Sequence, residues 1–173
     1  MKTIYTIGHS TRTIEQFLAL LTAHGIQEVI DVRTIPKSRH NPQFSQDQLS
    51  SELNEANIQY THIKKLGGLR RAAKDSPNAG WQNTSFRGFA DYMASDEFQQ
   101  GLQELQAHAE KNTVAIMCAE AVPWRCHRSF IADALTIQGW QVLHIQSKKT
   151  AKPHEFTPFL EVREGKLLYP IQQ

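Results

Sequence analysis

The chain has 173 residues, 40% of them hydrophobic and 21% charged, a balance that suits a folded domain with a real apolar core and not a disordered or fibrous chain. A formal net charge of +2 is too small to announce a nucleic-acid protein, and apolar runs no longer than a strand argue against a membrane span. Two cysteines make no disulfide framework and a strand begins almost at Met1 with no leader before it, so one domain over 1–173 is expected, in the cytoplasm.

Thr3 to Ile7 is predicted as the first strand, ending at Gly8-His9-Ser10. Thr13 with Gln16 offers a capping box, and Ile14, Phe17, Leu18 and Leu21 give the helix that follows an apolar face. His24-Gly25 closes it, because glycine tolerates the left-handed geometry of a C-terminal cap, and Glu28 to Val32 returns as the second strand. The crossover is long enough for these strands to run parallel, which puts Gly8-His9-Ser10 and Asp31-Val-Arg33 on one sheet edge. After Pro36 and Pro42, which oppose regular structure, Ser45 with Gln48 is expected to cap a short helix to about Glu55, and Gln59 to Ile63 is the third strand.

Lys64 to Ser85 is long and polar, with Gly67-Gly68, Arg70-Arg71, Pro77 and Gly80, and a connection of that length reads as an active-site flap. Phe86, Phe89, Ala90 and Met93 predict a helix facing the core; Phe98, Leu102 and Leu105 predict another after Ser95. Thr113 to Met117 is the fourth strand. Cys126 to Gln138 is a helix burying Phe130, Ile131, Ala134 and Leu135, stopped by Gly139 before a fifth strand, Gln141 to Ile145. Lys148 to Pro153 reads as an exposed basic loop, and Leu160 to Pro170 as a hairpin turning at Glu164-Gly165. The alternation predicts an α/β fold: a three-layer, parallel or mostly parallel sheet with flanking helices and a C-terminal hairpin.

Both cysteines fall between Cys118 and Arg128, where a strand gives way to a helix, the edge at which open α/β sheets bind ligands. Cys126 at the helix start is favoured as a thiolate by unpaired backbone N–H groups and the positive dipole end, so a depressed pKa and a nucleophilic role are expected. Cys118, in the apolar end of the strand, reads as a small buried cysteine. Glu120 and His9 are the candidate proton carriers. His127 is a further catalytic candidate that serves equally as a solvated or capping residue. The same helix start suits an anion, with Arg33, Arg125 and Arg128 as clamps, although Arg33 can instead pair with Asp31 or Glu120 and Arg125 can cover Trp124.

Zinc has donors of the right type but not the right spacing. Seven residues separate the cysteines, and consecutive helical positions such as Cys126 and His127 point about 100° apart. Neither a metal site nor a cofactor is expected, since the chain has no glycine-rich dinucleotide fingerprint, phosphate-loop lysine motif or nucleophile elbow.

Thr6-Ile-Gly-His-Ser10, Asp31-Val-Arg33 with Pro36 and Ser38-Arg39, Leu66-Gly-Gly68, and Cys118-Ala-Glu120 with Cys126-His-Arg128 occur here in the order in which they occur in the domain of unknown function 488 family, which the chain resembles over essentially its full length. The resemblance implies an α/β protein with an unassigned enzymatic activity. It also implies a site that includes His9, Ser10, Asp31, Arg33, Arg39, Cys118, Glu120, Cys126, His127 and Arg128.

Two functions follow as expectations. One is a cysteine-dependent hydrolase or transferase acting on a small anionic substrate, phosphorylated or nucleotide-like. The other is a nucleic-acid-binding module in which the arginines and Lys148, Lys149 and Lys152 contact phosphates while Trp81 or Trp124 stacks on bases.

Overall fold

The computed structural model describes residues 2–68 and 70–171. In chain order its elements are β1 (Thr3–Gly8), α1 (Ile14–Ala23), β2 (Glu28–Asp31), α2 (Gln46–Glu55), β3 (Gln59–His62), α3 (Thr84–Tyr92), α4 (Asp96–Lys111), β4 (Val114–Cys118), α5 (Arg128–Ile137), β5 (Gln141–Ile145), β6 (Ala151–Pro153), β7 (Glu161–Arg163) and β8 (Lys166–Leu168). The sheet runs β3-β2-β4-β1-β5-β6, with β7 and β8 forming a separate hairpin. Strands β1 to β5 are parallel and only the edge strand β6 is antiparallel. This is the α/β architecture expected from the alternation of strands and helices.

A strand covered on both faces sends alternate side chains into two cores, which explains why the fourth strand is an unbroken apolar run. Val114, Ile116 and Cys118 of β4 pack with Phe89, Leu102 and Phe130 of α3, α4 and α5. Ala115 and Met117 face the other way, toward Phe17, Leu21, Leu49 and Leu53 of α1 and α2.

The strand order places the site. From β1 the chain crosses through α1 past β4 to β2, and from β4 it crosses through α5 past β1 to β5. The two crossovers leave neighbouring strands in opposite directions on opposite faces, so a crevice opens beyond the carboxyl ends of β1 and β4. Gly8 and Cys118 are register partners there, and Asp31 is level with Met117 one strand further along.

Local chemistry agrees with this frame at most element ends. Thr13 and Gln16 form the reciprocal capping box of α1. Gly25 and Gly139 take positive φ after α1 and α5, and Glu164-Gly165 do so at the turn of the last hairpin. Ser45 precedes α2 but makes no capping bond, because its hydroxyl accepts the Ser38 N–H instead. The basic loop is a loop only in part, since Ala151–Pro153 joins the sheet as β6.

The long connection after β3 is pinned at its centre, unlike a free flap. Asn78 is buried, accepts the Tyr169 N–H through Oδ1 at 2.9 Å and donates to Asp91 at 2.8 Å, while Gly80 N–H donates to the Tyr169 carbonyl. Leu69, in the same connection, lies outside the described residues, as does Met1. No helix among the described residues is long and apolar enough to cross a membrane.

Candidate functional site

Gly8 is the steric key to the crevice. A Cβ there would fall 1.8 Å from the Glu120 carbonyl oxygen, so only glycine lets the segment leaving β4 cross β1 at this height. The ladder continues past both strand ends, with His9 N–H donating to Cys118 O and Ser10 N–H to Ala119 O, each at 2.9 Å. Arg128, fully buried in the first turn of α5, donates from one terminal nitrogen to the carbonyls of Glu120 and Ala121 at 3.0 and 2.8 Å and from the other to Thr6 Oγ1 at 3.2 Å. Its guanidinium is the clamp that holds the Glu120 segment over Gly8.

Asp31 and Arg33 form a second buried unit. Arg33 donates from Nε and a terminal nitrogen to the two carboxylate oxygens of Asp31 at 2.9 and 2.7 Å, and Tyr60 adds its hydroxyl proton at 2.5 Å. Burial together with the Asp31 charge and hydrogen bond raises the Tyr60 pKa. The remaining terminal nitrogen of Arg33 stands 3.5 Å from Nε2 of His9. His9 stacks on Phe44, and its Nδ1 lies 2.9 Å from the Ser10 carbonyl, which requires the proton on Nδ1 and leaves Nε2 as acceptor. Burial is the main cause of a His9 pKa below the usual imidazole value, with Arg33 adding to it.

The cysteines depart from the sequence expectation. Helix α5 begins at Arg128, with His127 as N-cap and Cys126 just before it in extended backbone, where its sulfur receives the Arg128 N–H at 3.5 Å, but that donor does not prevail. Burial, followed by hydrogen bonding to Cys118 and repulsion from its charge, pushes the Cys126 pKa well up. For Cys118 burial opposes ionisation, but the hydrogen bond from Cys126, the Arg128 charge and a contact with the Glu120 backbone outweigh it and bring the pKa down. Of the two thiols Cys118 is therefore the one that ionises more readily, and its Sγ lies 3.6 Å from the Glu120 carbonyl. Both are free thiols.

His127 donates from Nε2 to the Val32 carbonyl at 2.8 Å, and its Nδ1 lies 3.6 Å from Cys126 Sγ. Burial lowers its pKa to about 4, so the ring is neutral at neutral pH.

Of the residues picked from the sequence, Arg33, Cys118, Glu120, Arg125, Cys126 and His127 line one hollow of about 350 Å³ at this edge. His9 and Asp31 stand behind Arg33, and Arg128 lies beneath the hollow with its terminal nitrogens bonded to the protein. Ser10 follows β1 in left-handed backbone and Arg39 is exposed; neither lines the hollow. Lys37, Phe86 and Phe89 do, and sequence reasoning missed them. The helical spacing of Phe86 and Phe89 favours the core over ligand contact, and they serve both; nothing in the local pattern marks Lys37. No cluster of metal-ligating side chains occurs among the described residues.

A buried, mostly parallel α/β sheet with a thiol pair and cations gathered at its switch point defines the class of protein. The chain belongs to the family described as domain of unknown function DUF488, whose model matches residues 13–135. A search of curated proteins and one of solved structures found no match for the chain.

Proposed function

We propose that this protein is a cysteine-dependent hydrolase or transferase whose substrate is a small anionic molecule, phosphorylated or nucleotide-like. The observation that carries the reading is the pairing of Cys118 with Cys126 in the wall of a hollow that also holds Arg33, Lys37 and Arg125. Arg33, Lys37 and Arg125 against the carboxylates of Glu120 and Asp31 leave an excess of one positive charge, which favours an anion, and the Asp31 fork holds Arg33 in one orientation toward it.

In this mechanism the Cys118 thiolate attacks the electrophilic centre of the bound substrate and forms a covalent bond to it, while the bond to the leaving group breaks. The leaving group departs as an anion and takes its proton from water. The Glu120 carboxylate, in the wall of the same hollow, then takes a proton from the incoming water or acceptor, whose attack breaks the sulfur bond and restores the thiolate. His127 is not the acid, because its ring is already neutral. Its bond to Val32 and its contact with Cys126 instead hold the donor thiol in place.

The test is turnover of a panel of phosphorylated compounds and nucleotides by the wild type, Cys118→Ser and Cys126→Ser, with the thiols mapped by alkylation and mass spectrometry. Loss of turnover in Cys118→Ser, a covalent adduct on Cys118, and slower alkylation in the presence of inorganic phosphate are expected. If both thiols react no faster than a free cysteine and both variants keep every activity found, the proposal fails. Oligonucleotide binding that collapses with rising salt, without any thiol chemistry, would replace it with the nucleic-acid reading.

A further inference from the structure

A second hollow, of about 280 Å³, lies beside the first and has a different character. Trp81, Trp124, Phe156 and Phe159 line it, with His144 and His154. Trp124 is 66% exposed and Phe156 46% exposed, so two large apolar rings stand in water around a concave site without covering each other. An apolar hollow of this size with an aromatic mouth takes one planar ring system.

The two hollows share a wall. The short turn Pro123–Arg125 presents Pro123 and Trp124 to the aromatic hollow, and the next residues, Arg125 and Cys126, to the cationic one. The wall continues where Trp81 lines the aromatic hollow and Phe86 the cationic one, their rings edge to face at 5.0 Å. A ring against Trp124 is therefore one side chain away from an anion against Arg125.

The imidazoles in the aromatic hollow have no spare hydrogen-bonding nitrogen. His144 uses Nδ1 on Thr6 and Nε2 on His154, and His154 uses its other nitrogen on Asp133. Polar contacts to the ring are left to Gln146, Lys152 and Glu155 at the lining, beside stacking, which tolerates different heterocycles.

We infer that the two hollows form one composite site for a nucleoside monophosphate, the base stacked on Trp124 in the aromatic hollow and the phosphate held by Arg125 and Arg33 in the cationic one. This rests on the anion site of the proposed function and names its substrate class.

Calorimetric titration of the full chain with inorganic phosphate, adenosine, adenosine monophosphate and uridine monophosphate tests it, on the wild type, Trp124→Ala and Arg125→Ala. Both replaced side chains are exposed, so neither variant endangers the fold. Both nucleotides are expected to bind more tightly than phosphate or adenosine. Trp124→Ala should weaken nucleotide binding about tenfold or more, the scale of one lost base–aromatic stack, and leave phosphate binding unchanged within about twofold. Arg125→Ala should weaken phosphate and nucleotide alike.

Nucleotides that bind no tighter than phosphate, nucleotide binding indifferent to Trp124→Ala, or no binding of any of the four probes overturns the inference. The two proposals fail separately. Trp124-dependent nucleotide binding without any thiol-dependent turnover sinks the enzyme reading alone. Cys118-dependent turnover of a ringless phosphorylated compound, indifferent to Trp124→Ala, sinks the composite site alone.

Discussion

His144 and His154 meet nitrogen to nitrogen at 2.8 Å, in the middle of a buried polar chain that runs from Arg128 to Asp133. Asp133 accepts from Tyr169, Thr157 and His154, and Thr6 Oγ1, which accepts from Arg128, stands 2.5 Å from His144 Nδ1. Arg128 donates to Thr6 at one end, and at the other the Asp133 carboxylate takes the His154 Nε2 proton. The chain ties the C-terminal segment, through α5, to the arginine that clamps the Glu120 segment.

Acid should undo this arrangement. Burial, with His154 and Arg128 adding to it, brings the His144 pKa down to about 3, and burial brings His127 to about 4. The unfolded chain takes up these protons near the ordinary imidazole value of 6.5 while the folded chain does not, so stability falls as pH drops below 6.5 and keeps falling to the folded values. Each ring steepens the slope by up to about 1.4 kcal/mol per pH unit. Urea titrations from about pH 7.5 to about 4.5 should show a progressively falling midpoint, and His144→Gln should flatten the fall. A midpoint constant over that range would mean that the rings are not buried neutral.

Iodoacetamide labelling across a pH series, followed by peptide mass spectrometry, should find Cys118 modified at lower pH than Cys126. Cys126→Ala removes the donor to Cys118 and should raise its pKa, moving its labelling to higher pH. Cys126→Ser, which keeps a donor, should fall between. Earlier labelling of Cys126 would reverse the assignment.

The buried Asp31–Arg33 pair predicts an asymmetric response. Asp31→Ala strands the guanidinium in the interior and should cost about 3–5 kcal/mol of unfolding free energy. Tyr60→Phe removes one hydrogen bond to a charged group and should cost about 1.5–3 kcal/mol. Denaturant titration of both variants checks the order, and a cost for Asp31→Ala below that of Tyr60→Phe would show that Arg33 finds water or another partner.

Gly8→Ala should displace the Glu120 segment, because the new methyl meets backbone from Glu120 to Ala121 and no flexible side chain. An overpacking cost of about 1–3 kcal/mol is expected, together with faster amide exchange at His9 and Ser10, whose N–H groups donate to the end of β4. Unchanged exchange at these two positions would show that the crossing adjusts without opening.

Much of the fold was legible because its signals are local. Thr13 with Gln16 forms its box within four residues, Glu164-Gly165 turns a hairpin that positive φ alone requires, and Val114 to Cys118 shows its double burial as an unbroken apolar run. Ser45 shows the limit of such signals: its hydroxyl had a rival donor in Ser38, brought near only by the fold of the intervening loop. Strand β6 had no apolar period to reveal it, being an edge strand that pairs on one side only.

The site was legible in membership and less so in chemistry. The residues between Cys118 and Arg128 stood out by type, but which cysteine ionises more readily depends on a neighbour eight positions away and on Arg128, and local helix geometry pointed to the other one. Trp81 and Trp124 stood out as stacking residues, but nothing local showed that they meet Phe156 in one hollow, since the three come from unconnected stretches.

By itself the sequence determined the order of strands and helices and the group of residues destined for the carboxyl edge, because periodicity, caps and turns act over a few residues. Only the tertiary structure decided that β4 lies between β2 and β1, that both thiols share one wall with Glu120 and Arg125, and that an aromatic hollow adjoins a cationic one. Those outcomes depend on burial and on partners far apart in the chain, and both exist only once the chain is packed.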